Sequence, residues 1–262
     1  MMSTIPLTAS RRSLGWALVV AVLVSCAKAP VTTPPAAIKL VAARPQIAPG
    51  ESLEIAVIVE LEPGWHTYWH NPGDAGLPPS FEWTLPQALT ASPLQLPIPS
   101  RIEEEGSIAF GYSGRVVIPG RVTLSDDTVV QSSLRVKLQV DLLVCNDACI
   151  PFSDSAVLSL LVAKSPPSSE EASTNFAIRT GAQGIADSGT HQGTWTISSN
   201  RLIIHSTLPK TETLDNMEFF PLTRGVFDYG KPPLITWDSV LTIELKLSPM
   251  PSAQPDTIIG LL

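Results

Sequence analysis

Strict alternation of apolar and polar residues over LRVKLQVDLLV is the feature that most constrains the fold. Every second side chain from Leu134 to Val144 is apolar, and the residues between Arg135 and Asp141 that alternate with them are charged or polar. Successive side chains of a strand point to opposite faces, so this period of two predicts a strand with one face in a core.

Similar short segments recur along the chain, separated by turn-forming residues. They lie at 51–61, 115–124, 156–162, 195–197, 201–208 and 240–247. Pro119 and Gly120 predict an interruption of one of them, hence an edge strand or a bulge. The 25 prolines and 16 glycines argue against long helices. Together these features predict an all-β protein built on an antiparallel sandwich.

The segment KSPPSSEEASTN, residues 164–175, is typical of a linker because it combines adjacent prolines with serines and charges. We therefore expect a first domain over 38–163 and a second, smaller β domain over 176–262. The closing PDTIIGLL has the character of a strand that is only beginning. This leaves open that the second domain is short of its last strand or two.

The N-terminus has the pattern of a secretory signal peptide, predicted over residues 1–25. Arg11 and Arg12 precede an apolar run at 14–24, which is shorter than the ~20 residues that span a bilayer. The run ends in LVSC, which resembles the bacterial lipobox and predicts that Cys26 is lipidated. An ordinary cleaved signal with a free Cys26, and an uncleaved anchor, stay open as alternatives.

Residues 26–37, rich in Pro, Ala and Thr, are predicted to be a tether between the lipid and the folded part. We thus expect a periplasmic, membrane-tethered lipoprotein, and Ala27 after the cysteine slightly favours the outer membrane. Without Arg11 and Arg12 the chain carries 15 basic and 24 acidic residues, a charge of −9, with no basic cluster. Nucleic acid is therefore not an expected partner.

Cys145 and Cys149 remain as thiols in a compartment that permits disulfides. Cys145 has the parity of the polar face of its strand, and Cys149 follows across a turn favoured by Asn146 and Asp147. The two cysteines are thus expected side by side at the rim of the sandwich, within reach of a disulfide.

A structural staple explains this spacing poorly. By loop entropy a five-residue ring stabilises by only about 2 kcal/mol, against nearly 5 kcal/mol for a hundred-residue ring. A zinc site could include His66 and His70, which share a face in GWHTYWHN, but nothing in the sequence brings them to the cysteines. We therefore predict no metal and no cofactor.

Redox exchange is the third interpretation, since short or exposed disulfides are the labile ones. Asp147 is negative and no basic side chain is adjacent in sequence, so nothing local lowers a thiol pKa. This setting suits a pair that waits for a specific partner to reduce it.

Three motifs carry a resemblance to a known family. LEPGWHTYWHNPGDAGLPPSFEW, FGYSGRVVIP and DLLVCNDACIP follow one another over roughly residues 38–163. This part of the chain resembles the N-terminal periplasmic domain of the DsbD/ScsB thiol:disulfide interchange proteins. EFFPLTRGVFDYG, at 218–230, is similar to the second domain of ScsB-like members.

The resemblance implies an immunoglobulin-like sandwich whose cysteine pair takes electrons from a membrane-embedded donor. Partners would be extracytoplasmic thioredoxin-like proteins, including disulfide isomerases and proteins of cytochrome c maturation. By the same resemblance Cys149 attacks a partner disulfide and Cys145 resolves the adduct. A cap loop over the pair would consist of Ile102, Glu103, Glu104, Glu105 and Gly106.

This sequence departs from the family pattern because it lacks the membrane helices and the thioredoxin-like domain of full-length members. The sequence alone therefore leaves a second functional class open. In that class the chain is a non-enzymatic module that binds a partner or copper, and the cysteines are a structural disulfide or metal ligands.

Overall fold

Every regular element in the described part of the chain is a β-strand, which confirms the predicted all-β class. The computed structural model describes residues 34–104, 106–130, 132–164, 192–206, 217–251 and 256–261. These ranges belong to one compact unit, Pro34–Leu262, and they contain no helix long and apolar enough to cross a bilayer. The predicted signal peptide, the lipidation site Cys26 and nearly all of the predicted linker lie outside the described residues.

Residues 36–162 form two sheets whose apolar faces share one core. The strands are β1 (Ala36–Ala42), β2 (Gln46–Ile47), β3 (Ser52–Leu61), β4 (His66–Gly73), β5 (Ser80–Thr84), β6 (Leu89–Ala91), β7 (Ser100–Glu104), β8 (Ser107–Ser113), β9 (Arg115–Leu124), β10 (Ser133–Cys145) and β11 (Cys149–Val162). One sheet has the order β1-β3-β9-β6. The other has the order β2-β11-β10-β4-β8-β7, with β5 also paired to β10.

The alternation that predicted β10 is confirmed. Every second side chain from Leu134 to Val144 is buried, whereas Arg135 and Lys137 on the other face are exposed. β10 pairs with β11 over thirteen residues, from Ser133 to Cys145. This long hairpin therefore holds the two cysteine positions together independently of any bond between the sulfurs.

β9 runs without a break from Arg115 to Leu124, so the interruption predicted at Pro119 and Gly120 is absent. The carbonyl of Pro119 accepts a hydrogen bond from the Gln95 amide at 2.9 Å. The peptide groups of this residue therefore point away from β3. The missing N–H of proline thus removes no bond from the β3–β9 ladder.

The described residues beyond 192 form two further sheets, with the orders β12-β13-β16-β15 and β14-β17. Their strands are β12 (Gly193–Ser198), β13 (Arg201–Ser206), β14 (Phe220–Pro221), β15 (Leu234–Trp237), β16 (Leu241–Lys246) and β17 (Gly260–Leu261). The strand segments predicted here correspond to β12, β13 and β16.

β1 begins two residues before the predicted domain start at 38. The division into two domains stays a prediction.

Candidate functional site

Cys145 and Cys149 face each other at the end of the β10–β11 hairpin and are joined by a disulfide. Their Cα atoms are 4.0 Å apart. Residues 146–148 make the turn between them, and the Asn146 amide donates to the Ala148 carbonyl. The predicted turn and the predicted side-by-side placement of the cysteines are both confirmed.

The two sulfur-bearing residues differ in exposure. Cys149 is exposed, but Cys145 is 1% exposed, which contradicts its predicted place on a polar surface. The face predicted from the alternation is nevertheless correct, since Cys145 lies on the side of the sheet opposite the main core. A second small cluster covers that face, because Tyr68 and Ala109 pack against Cys145. We refer to this side of the sheet as the cysteine face.

The side-chain hydroxyl of Tyr68 contacts both sulfurs of the disulfide. It donates a hydrogen bond to Sγ of Cys145 at 3.0 Å and lies 3.8 Å from Sγ of Cys149. Burial, and to a lesser extent the negative charge of Glu104, raises the pKa of Tyr68 to about 12. The hydroxyl therefore keeps its proton at any physiological pH and remains a hydrogen-bond donor to sulfur.

Gly76 makes room for this tyrosine. Its φ is +107°, and a Cβ at this position would lie 2.4 Å from Cε1 of the Tyr68 ring. Any other residue would therefore displace the ring or strain the backbone. The glycine thus contributes to the site by leaving space for the Tyr68 ring.

The predicted cap corresponds in part to β7. Ile102 packs against the cluster around Cys145, and the carboxylate of Glu104 contacts Nε2 of His66. Glu103 and Gly106 are exposed and do not belong to this cluster. Glu105 lies outside the described residues. Because Cys149 is exposed, these contacts cover Cys145 rather than both cysteines.

β4 lies beside β10, so His66 is directly opposite Cys145. The sequence had offered no reason to bring these segments together, and the pairing of β4 with β10 does so for His66. His66 is buried, whereas His70 is exposed. Within the described residues, no group of three or more His, Cys, Asp or Glu side chains is arranged to hold a metal ion.

Residues 36–160 match the family model described as "Thiol:disulfide interchange protein DsbD, N-terminal". Residues 36–160 are a DsbD/ScsB-like N-terminal domain. The predicted immunoglobulin-like sandwich is thereby confirmed for this domain, as is the family resemblance. The match spans just under half of the chain, so the assignment applies to this part alone.

Among solved structures, the chain is similar to the N-terminal periplasmic domain of ScsB from Proteus mirabilis. The TM-score is 0.50 and the identity 23%, over 81% of this chain and 78% of that one. At this identity the likeness shows the fold alone. Two weaker matches are too distant to indicate a function. They are the E. coli chaperone DraB (TM-score 0.27, 11% identity, 82% of this chain and 88% of that one) and Spo0M from Bacillus subtilis (TM-score 0.27, 13% identity, 66% of this chain and 79% of that one). No curated protein sequence matches the chain.

In this DsbD/ScsB-like domain, Tyr68 is the site residue that the sequence did not reveal. The even spacing of His66 and Tyr68 was visible and places both on one face of β4. What the spacing could not show is that this face borders Cys145, because that depends on the pairing of β4 with β10. The roles assigned to Cys145, Cys149 and the cap stay predictions.

Proposed function

We propose that this chain is an extracytoplasmic thiol:disulfide interchange protein. It relays reducing equivalents from a membrane-embedded dithiol donor to the disulfides of thioredoxin-like partners. The observation that carries this proposal is the asymmetric disulfide, in which the exposed residue Cys149 is bonded to the buried residue Cys145, whose sulfur accepts a hydrogen bond from Tyr68.

Electron entry begins at Cys149, the exposed residue of the pair. A donor thiolate attacks Sγ of Cys149, the Cys145–Cys149 bond breaks, and its electron pair leaves with Sγ of Cys145. The Tyr68 hydroxyl, 3.0 Å from that sulfur, stabilises the developing thiolate. The second thiol of the donor then attacks the donor sulfur of the mixed disulfide and releases Cys149. Two electrons and two protons reach the protein, and the donor becomes a disulfide.

Electron exit uses the same geometry in reverse. Cys149, the exposed residue, attacks a partner disulfide as a thiolate, the partner S–S bond breaks, and a mixed disulfide forms with one partner sulfur while the other leaves as a thiolate. Cys145 then attacks Sγ of Cys149, which re-forms the internal disulfide and releases the reduced partner. The exposure of the two residues thus supports Cys149 as the attacking thiol and Cys145 as the resolving thiol.

The disulfide adds little to the stability of the hairpin that carries it. Thirteen residue pairs already join β10 to β11, and closing a five-residue ring is worth only about 2 kcal/mol in the unfolded chain. This comparison supports a redox role over a structural one.

The reduction potential of the pair tests the proposal. We expect a potential above about −300 mV, because structural disulfides of secreted proteins lie below that value. Full-length protein is equilibrated in dithiothreitol or glutathione buffers, and the oxidised fraction is measured by alkylation and gel shift. The Cys145→Ala variant supplies the reference that cannot form the bond. A potential well below about −300 mV would identify a structural bridge and refute the relay.

We further propose that the chain is held at a membrane on the periplasmic side by a lipid on Cys26, with the outer membrane slightly favoured. Cys26→Ser should abolish incorporation of labelled palmitate and move the protein out of the membrane fraction, because the lipobox thiol is the acceptor. Cys149→Ala, which removes a cysteine outside the lipobox, should leave both unchanged. Identical labelling and fractionation of Cys26→Ser and wild type would contradict lipidation.

A further inference from the structure

β4 departs from regular pairing immediately after Tyr68. Tyr68 pairs with Gly111 and Gly73 pairs with Ala109. Four residues of β4 therefore lie opposite a single residue of β8. Residues 69–72 form a bulge whose backbone polar groups need partners outside the β4–β8 ladder. Bulges of this kind re-aim neighbouring side chains, and the neighbour here is the tyrosine that contacts Cys145.

The hydrogen-bond partners of the bulge come from residues 219–230, which we call segment 219–230. The Arg224 guanidinium donates to the carbonyl of His70. Nδ2 of Asn71 donates to the carbonyl of Pro221 at 2.6 Å and to the hydroxyl of Tyr229 at 3.0 Å. Asn71 is 0% exposed, and its Oδ1 accepts a hydrogen bond from the Gly73 amide. The side chain that spans the bulge therefore has partners on both sides.

Aromatic packing extends the same contact. The ring of Phe220 lies edge-on to Trp69 at 6.3 Å and to Phe110 at 5.4 Å between ring centroids. Tyr229 lies edge-on to Phe110 at 5.2 Å. All four aromatic side chains are buried in the main core. Segment 219–230 thus completes the core on the side of the sheet opposite the cysteine face.

The adjacent strand pair β7–β8 shows the same division between two faces. Ala109 lies in the cluster with Cys145, and its pairing partner Ile102 packs against that cluster. Arg101, one residue away and paired with Phe110, points to the other side, where its guanidinium donates to the carbonyl of Tyr229. Of the three strands that cover Cys145, β4 and β7 are therefore held by hydrogen bonds with segment 219–230 on the opposite side of the sheet.

We propose that segment 219–230 positions Tyr68 and Ile102 against the sulfur of Cys145, with Asn71, Arg101 and Arg224 as positioning residues. This assigns a task to the C-terminal part of the chain: it fixes the bulge of β4 and the edge strand β7, and thereby the hydroxyl that stabilises the leaving thiolate. The proposal rests on the leaving-group chemistry of the proposed function, but it does not depend on which proteins donate or accept electrons.

The test measures how fast dithiothreitol reduces the disulfide in the full-length protein. Asn71→Ala should slow reduction about tenfold, because it leaves the bulge without its central hydrogen bonds. Arg101→Gln and Arg224→Gln should each slow it about threefold, since each removes one hydrogen bond to a carbonyl. The matched control is Arg201→Gln. It removes a 3.0 Å ion pair with Glu244 between β13 and β16 and should leave the rate unchanged.

A double-mutant cycle with Tyr68→Phe separates positioning from a general loss of structure. Without the hydroxyl the leaving thiolate has no hydrogen-bond donor to lose, so the Arg101→Gln and Arg224→Gln effects on the reduction rate should disappear in that background. Effects that persist there, or unchanged rates in both arginine variants, would overturn the proposal. The two arginine variants decide the matter even if Asn71→Ala fails to fold.

The outcome is distinguishable from failure of the proposed function. Reduction by dithiothreitol reports only the chemistry of this chain's own disulfide. If the variants change the reduction rate as expected but the protein forms no mixed disulfide with any partner, the positioning role stands and the relay function is refuted. If the protein traps partners but its reduction rate is the same in these variants as in wild type, the relay function stands and the positioning role is refuted.

Discussion

The Cys145→Ala variant is expected to accumulate disulfide-linked adducts with partner proteins, whereas Cys149→Ala should trap few or none. Removing the resolving thiol stops the exchange after Cys149 has attacked, so the mixed disulfide persists. We expect about tenfold more adduct than in wild type, because resolution by a neighbouring thiol is normally fast. Cells are quenched with acid, alkylated and analysed by non-reducing electrophoresis, and the adducts are identified by mass spectrometry.

The reciprocal variant is the control for this experiment. Cys149→Ala keeps one thiol in the same hairpin, but that thiol is on a residue only 1% exposed. Adducts that form mainly with Cys149→Ala would reverse the two roles. If neither variant forms a reducible adduct while wild type is folded and oxidised, the non-enzymatic binding module becomes the better account of the chain.

The parts of this structure that could be predicted from the sequence are those set by local patterns. The faces of β10 follow from alternation between Leu134 and Val144, because one residue per face is a property of the strand itself. The turn before Cys149 follows from Asn146 and Asp147, which favour turns. A pair of cysteines flanking such a turn is brought together by the hairpin alone.

The environment of the pair could not be predicted in the same way. Tyr68 and Cys145 are separated by 77 positions, and their contact depends on which strand lies beside β10. Alternation along β10 predicted a polar face for Cys145, because Arg135 and Lys137 share that face. The face is polar only along the first part of the strand, and β4, β8 and β7 bury its end.

The bulge of β4 is a second feature that sequence patterns do not show. Asn71 would ordinarily be expected at a surface turn, yet it is completely buried. Its burial is compatible with stability because its amide groups are hydrogen-bonded to Pro221, Tyr229 and Gly73. The first of these partners lies 150 positions away. A buried polar residue of this kind becomes predictable only once its distant partner is known.

Tyr68→Phe is expected to slow reduction of the disulfide by dithiothreitol about 10-fold to 100-fold. A hydrogen bond to a charged group contributes about 1.5–3 kcal/mol, and the thiolate on buried Cys145 would lose its donor. Phenylalanine keeps the ring that packs against Gly76, so the site should retain its shape. The measurement is the second-order rate constant of the full-length protein, compared at equal fractions of dithiothreitol thiolate.

The matched control is Tyr112→Phe, which removes a buried hydroxyl bonded to the Pro97 carbonyl at 2.6 Å on the core side of the same sheet. It should lower the melting temperature without changing the reduction rate. A rate loss shared by both variants would show that general destabilisation, and not the lost donor at sulfur, slows the reaction.

The pH dependence provides an independent check on Tyr68. Its pKa in the folded protein is about 12, above the value of about 10 for an unperturbed tyrosine. The raised pKa means that the native state holds this proton more tightly than the unfolded state. The associated stability is fully present below about pH 10 and is lost as the pH rises through 12. The ratio of wild-type to Tyr68→Phe reduction rates should therefore stay constant from about pH 7 to 10, because the hydroxyl remains protonated throughout. A ratio that falls towards one below pH 10 would mean that the hydroxyl ionises early and is not the buried donor to Cys145.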